Sequence, residues 1–291
     1  MRRAMLSLAV LVSMLAATAS AQEARTERSP SHCIAFVENT PGVELIRVAS
    51  TDTPLRAGFG EALAPETVRI SYLDHAMFLI ETPGGLTVVT DYNGFLGPVD
   101  FAPDVVTMNH AHGTHWTAAP DPRIEHVLPG WNPDGDGPIV HRLDLGEMLV
   151  RNVTTDIRGR FGGASEADGN SIFIFEVGGL CIGHLGHLHH EPSPEQYAAI
   201  GRLDVVMAPV DGGLTLPLAD MIAILKRVRA AIVIPSHWFS IASLQTFVAG
   251  MEDQFRVDVR DERHIEVSLR TLPRQQTITV LPPGFLGLED R

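Results

Sequence analysis

The sequence predicts an α/β protein in which two β-sheets pack together with helices on their outer faces. Two observations carry this. Short β-type runs separated by turn residues fill the first half of the chain, and β-type runs alternate with helical patterns in the second. A third observation locates the chemistry: several of the apolar runs are followed within two residues by histidine.

The elements follow in order. Met1-Arg2-Arg3, the apolar stretch from Ala4 to Ala17 and Ala19-Ser20-Ala21 form the basic region, hydrophobic core and small-residue cleavage site of a secretory signal peptide. The apolar run is shorter than the roughly 20 residues a bilayer span needs, so residues 1–21 read as a removed leader and not as an anchor. An exported protein follows, periplasmic or extracellular. Residues 22–42 read as an extended lead-in and residues 43–291 as a single domain. β-type runs cover Thr67–Leu73, Met77–Glu81, Leu86–Thr90 and Val105–Met108, with Thr82-Pro83-Gly84-Gly85 as a hairpin loop. Further runs cover Glu147–Val153, Ser171–Val177, Leu180–Gly183, Asp204–Ala208 and Ala231–Pro235. A helix starts at Ser193-Pro194-Glu195-Gln196, which has a capping serine, proline at the first helical position and a glutamine that closes a capping box. Leu218–Ala230 and Ile241–Met251 are the next two helices.

A net charge of −13 argues against nucleic acid or an anionic membrane surface as partner, since both are bound through basic patches. A small-molecule substrate fits better, with no stable membrane insertion. Of the two cysteines, Cys181 lies in an apolar strand, where a free thiol packs as a small hydrophobe. Export also permits a disulfide to Cys33.

Of 13 histidines, seven fall in two groups. His110, His112 and His115 follow the run ending at Met108, and alternation on extended chain puts His110 and His112 on one side. Imidazoles spaced in this way beyond a strand end suit a metal such as zinc, with iron or manganese as further options. His184, His187, His189 and His190 follow the run ending at Gly183; His189 and His190, beside Glu191 and Pro192, read as a solvated approach to the next helix. His237 ends the apolar run Ala231–Pro235 and completes the pattern.

These elements, in this order, resemble the metallo-β-lactamase superfamily, and in particular its lactonase and phospholipase-D-like branch. Val68–Thr82, with His75, resembles the opening hairpin; Asp91-Tyr92-Asn93 resembles the strand end that carries aspartate. His110–His115 overlies H-x-H-x-D-H, Gly183–His190 overlies H-L-G-D-L-G-H, Ala208–Leu216 overlies a glycine-rich loop, and Ile234–Trp238 overlies the last histidine ligand. The resemblance implies a four-layer αββα sandwich with metal at one edge. Three positions depart from the pattern. Thr114 stands for the aspartate of the second metal, His187 for the bridging aspartate, and the segment 154–161 supplies no intermediate histidine.

A hydroxyl binds zinc poorly and an imidazole binds it well, so the expected centre holds one ion on His110, His112, His187 and His237, with His115 as a fifth ligand. Such a centre activates water for attack on an ester, lactone or phosphodiester. His75 and His115 are the candidate proton-transfer residues, and Arg158 and Arg160 the candidates to face an anionic substrate. The alternative is a catalytically silent binding or metal-sequestering protein on the same scaffold.

Overall fold

Alternating burial along the strands sorts the side chains into three apolar layers. The computed structural model describes residues 31–35, 62–135, 137–159 and 165–288; the leader and the rest of the lead-in lie outside them, and the described part of the lead-in is helical, not extended. The short helix α1 (His32–Ala35) precedes β1 (Val68–Asp74), β2 (Met77–Glu81), β3 (Thr87–Val89), β4 (Val105–Met108) and β5 (His126–Pro129). β6 (Arg142–Asp144), β7 (Met148–Ile157), β8 (Glu166–Val177) and β9 (Leu180–His184) follow. Then come α2 (Pro194–Ile200), β10 (Val205–Pro209), α3 (Leu218–Val228), β11 (Ile232–Ser236) and α4 (Ile241–Met251). β12 (Arg256–Val259), β13 (His264–Val267) and β14 (Thr277–Val280) complete the order.

One sheet runs β13-β1-β2-β3-β4-β5 and the other β12-β14-β11-β10-β9-β8-β7-β6. Phe173 and Phe175 on β8 join Val68, Ile70 and Phe78 between the sheets, while Ile172 and Ile174 turn to the opposite face. Burying each such side chain contributes about 1.5–3 kcal/mol. Met221 and Ile224 of α3 and Phe247 of α4 pack with Val206 and Ala208 on the outer face of the eight-stranded sheet. The outer face of the six-stranded sheet is covered among the described residues by loops, through Tyr92, Leu96, Ile124 and Leu286. The two-sheet sandwich thus stands as expected, with its helices on one side.

Helix α2 starts where its capping box places it: the Ser193 hydroxyl accepts from the Gln196 amide, and the Gln196 side chain accepts from the Ser193 amide. Five strands are absent from the sequence reading: the buried inner strand β14, and β5, β6, β12 and β13, which are the four sheet edges. The edge strands are short and partly exposed, so the hydrophobic periodicity that marks an inner strand is missing from them.

Cys181 is not a free thiol. It is bonded to Cys33, with the two Cα atoms 5.9 Å apart, and so ties α1 to β9. The same segment is held by polar contacts: the Ser31 hydroxyl and the His32 amide donate to the buried Glu176 carboxylate, at 2.6 and 3.0 Å. Arg151 Nε donates to that carboxylate at 2.6 Å, and its other nitrogens donate to the Ala199 and Ile200 carbonyls at the end of α2.

The bridge spans 148 residues of sequence. Replacing both cysteines by serine is therefore expected to lower stability by about 2–5 kcal/mol and Tm by about 5–15 °C, as read by thermal unfolding. An unchanged Tm would contradict this role.

Candidate metal centre

Parallel strands deliver the site. β9, β10 and β11 run parallel, as do β3 and β4, so their carboxyl ends open on one edge of the sandwich. Asp91 follows β3, His112 and His115 follow β4, His187 follows β9, Asp211 follows β10 and His237 directly follows β11. His75 comes from the turn between β1 and β2.

Ring nitrogens of His75, His112, His115 and His237 all lie within 4.8 Å of one another. The rings of His75 and His237 are 4.0 Å apart between centroids, and those of His112 and His115 are 4.6 Å apart. Two buried carboxylates fix this arrangement. His115 Nδ1 is 2.5 Å from Asp91 Oδ2, and His237 Nδ1 is 2.9 Å from Asp211 Oδ2. Each pair leaves Nε2 facing the cluster, the pattern in which a carboxylate orients a metal-ligating imidazole.

Asp91 is held in turn by Asn109, whose Nδ2 donates to Oδ1 at 2.7 Å. Asp211 accepts the backbone amides of Gly213, Leu214 and Thr215 and the Thr215 hydroxyl. Thr114 Oγ1 lies 2.7 Å from His112 Nδ1, so the residue standing for a carboxylate ligand instead orients a neighbouring ring. Gly186, at φ 60°, sits where a Cβ would collide with the Asn109 and Asn170 side chains, so only glycine fits there.

Three residues of the centre take left-handed backbone: His75 at φ 50°, Asp91 at 44° and His237 at 55°. Such conformations cost non-glycine residues about 1–3 kcal/mol each and persist where the surroundings over-determine them. At His75 the cause is visible: its carbonyl accepts the Tyr72 hydroxyl at 2.7 Å and the His237 amide at 2.8 Å.

The donor set fits a metal ion. The Nε2 atoms of His75, His115 and His237 are buried and have no hydrogen-bond partner. Each unsatisfied buried polar atom costs about 1–3 kcal/mol, a cost that a cation shared by the three removes. The electrostatics agree. Burial, reinforced by the neighbouring imidazoles, lowers the His75 pKa to about 3 and holds His115 well below the usual histidine range. Neutral imidazoles are the form that binds metal. Burial also pushes the Asp91 carboxyl up to about 6, whereas hydrogen bonds from His237 and Thr215 outweigh burial at Asp211 and lower it.

Several residues lie elsewhere than the sequence reading put them. His110 is outside the cluster: its Nδ1 is 2.6 Å from Glu166 Oε1, and its ring stacks on Trp131 at 4.7 Å. His75 joins the group of facing nitrogens instead of standing beside it as a base. Arg158 Nη2 donates to the Gly213, Leu214 and Thr215 carbonyls at 2.7–2.9 Å, so it clamps a loop. Arg160 lies outside the described residues. His189 is buried and hydrogen-bonded, not solvated, whereas His190 is exposed. His187 borders the cluster, its Nε2 3.2 Å from His112 Nε2. The sequence reading assigned no role to Asp91 or Asp211; a carboxylate just past an apolar run, at the same edge as the histidines, is the signal that marks both.

A family model described as the beta-lactamase superfamily domain matches residues 69–237. A metal-dependent hydrolase of Carboxydothermus hydrogenoformans is 24% identical over 212 residues, covering 65% of this chain and 92% of that protein. A second, from Salinibacter ruber, is 22% identical over 211 residues, covering 64% and 91%. Among solved structures, a Thermotoga maritima protein assigned as a Zn-dependent hydrolase of the metallo-beta-lactamase superfamily superposes with a TM-score of 0.51 at 23% identity, covering 74% of this chain and 98% of that one. A metallo hydrolase of Ignicoccus hospitalis gives 0.50 at 15% identity, covering 75% and 96%, and both likenesses are of fold. The matched segment runs from β1 to the histidine that follows β11, and it takes in every residue of the cluster: the chain belongs to the beta-lactamase superfamily and has the metallo-β-lactamase fold.

Proposed function

We propose that the protein is an exported, single-metal hydrolase of uncharged carboxylic esters or lactones that carry an apolar group. The convergence of four imidazole nitrogens, three of them buried without partners, carries the reading. When bound there, a divalent cation such as zinc supplies the Lewis acidity that makes water a usable nucleophile near neutral pH. One ion accounts for the donor set: His110 is turned to Glu166, and Thr114 offers a hydroxyl where a second ion would need a carboxylate.

The chain's own residues bind and orient. Asp91 and Asp211 fix the rings of His115 and His237, and Thr114 fixes that of His112. His115 and His237 are fully buried, while His75 and His112 are half-buried, so the cluster opens on their side. Phe239, 61% exposed, lies against His75 and His237 at that opening, and the exposed Leu214 and Ile241 belong to the segments that carry Asp211 and follow His237. This apolar rim suits an acyl or alkyl group and keeps water from the bound ester. Among the described residues, the arginine expected to face an anion is clamped to backbone carbonyls, which favours an uncharged ester over a phosphodiester. The disulfide and the leader-like first 21 residues support export.

Protein purified without a histidine tag is expected to hold one zinc, iron or manganese per chain by elemental analysis. His115→Ala should lose that metal and His110→Ala should keep it; loss in both would contradict the assigned centre. On a panel of p-nitrophenyl esters, lactones and phosphodiesters, turnover should favour butyrate and longer acyl esters over bis(p-nitrophenyl) phosphate by at least about tenfold, a preference on the order of 1.4 kcal/mol. The reverse order would overturn the substrate class.

Metal removal should also expose a pH dependence. Burial lowers the pKa of His75 to about 3 and of His189 to about 4, and it lowers His115, His184 and His187 as well. Below the unfolded value of about 6.5 the unfolded chain therefore binds more protons, and stability falls with falling pH. Asp91, raised to about 6, and Asp74, also raised by burial, work in the opposite sense at mildly acidic pH, two carboxyls against these five histidines and His141. The metal-free Tm should be level above about pH 6.5 and fall steadily toward pH 4; a Tm that rises on acidification would contradict the neutral-imidazole centre.

A further inference from the structure

We infer that His187 acts in this site as a hydrogen-bond donor to the substrate through its Nε2–H, and not as a metal ligand. The inference rests on the metal-hydrolase reading above and on a chain of hydrogen bonds that fixes the His187 tautomer.

The chain starts from a donor whose direction is certain. The Arg158 backbone amide donates to His189 Nδ1 at 2.7 Å, so that nitrogen carries no proton and the proton of neutral His189 is on Nε2. His189 Nε2 lies 2.9 Å from the Leu214 carbonyl, which accepts, and 2.9 Å from His187 Nδ1. A proton on His187 Nδ1 would face the His189 Nε2–H head-on. His187 Nδ1 is therefore the acceptor, and the proton of neutral His187 is on Nε2.

That Nε2–H points into the cluster, 3.2 Å from His112 Nε2. The loop cannot swing it away easily. Asn170 Oδ1 accepts the His187 backbone amide at 2.7 Å, and Asn170 Nδ2 donates to the Thr155 hydroxyl at 2.8 Å. His187 also differs from His115 and His237 in what its Nδ1 meets: those two present Nδ1 to carboxylates, which leaves a lone pair on Nε2, whereas His187 presents Nδ1 to an N–H donor. The three rings look alike in sequence but differ in which nitrogen holds the proton. To ligate through Nε2, His187 would have to take the other tautomer and break the contact with His189. A fixed N–H donor beside a Lewis-acid site is the arrangement that stabilises negative charge developing on a carbonyl oxygen during ester hydrolysis.

Two measurements on the full chain test this. In zinc-loaded protein labelled with ¹⁵N at histidine, His187 should keep its proton on Nε2, read from long-range ¹H–¹⁵N correlations; a deprotonated, zinc-shifted Nε2 would overturn the inference. In His187→Gln and His187→Leu, zinc affinity measured by competition with a chromogenic chelator should stay within about threefold of the parent. On p-nitrophenyl butyrate, kcat should fall by about 10²–10³ in the leucine variant, with KM little changed and partial recovery in the glutamine variant. A 10- to 100-fold loss of zinc affinity in both variants would mark His187 as a ligand and overturn the inference. If the unsubstituted protein binds no metal, it is the proposed function that fails; the proton on His187 Nε2 is then read in the metal-free protein.

Discussion

Two buried carboxylates, each holding one imidazole by its Nδ1, are the constraint on which the rest of the centre depends. Asp91 and Asp211 are placed by different sheets, the first after β3 and the second after β10, and each sets the direction of one ring. With Nδ1 engaged, the remaining lone pair of His115 and of His237 has one place to point. Burying these nitrogens without partners is destabilising by about 1–3 kcal/mol each, a cost that a shared cation removes. Here they are left facing one another at the sandwich edge, and so is His75. Together with the left-handed backbone at His75, Asp91 and His237, this is local stability given up for a geometry that a cation completes.

The departures from the superfamily pattern then have a common physical content. Losing a carboxylate at Thr114 removes a hard oxygen ligand, and turning His110 toward Glu166 and Trp131 removes an imidazole. Both changes thin the donor set of the superfamily pattern, and His75, entering from the β1–β2 turn, adds an imidazole to the group that remains. In the single-ion centre proposed above, the site is thus rebuilt and not merely depleted. The loop of residues 211–217 does double duty in this arrangement: Asp211 orients His237, while the carbonyls of Gly213, Leu214 and Thr215 hold the Arg158 guanidinium. That guanidinium is engaged with backbone carbonyls, and Phe239 lies against the His75 and His237 rings.

Much of this was legible in the sequence, and the remainder was not for identifiable reasons. Inner strands such as Met77–Glu81 and Val105–Met108 were read to the residue, because burial on both faces makes their apolar runs unmistakable. Edge strands such as Arg256–Val259 and His264–Val267 carry charge on exposed faces and gave no such signal. Histidine spacing located the centre but could not rank its members, since side-chain direction depends on which sheet each segment joins. His110 and His112 alternate in sequence as two ligands would, yet Glu166, 56 residues away, captures the first ring. The Cys33–Cys181 pair was hidden for a similar reason: a buried thiol and a buried disulfide look the same along an apolar strand, and 148 residues separate the partners.

The central claim is that one ion sits among the imidazoles that Asp91 and Asp211 orient. Anomalous diffraction at the absorption edge of the bound metal, on crystals of protein as purified, tests it most directly. The account predicts a single anomalous peak bordered by the Nε2 atoms of His75, His115 and His237, with His112 alongside. Two peaks, or one peak bonded to His110 and distant from His75, would contradict it.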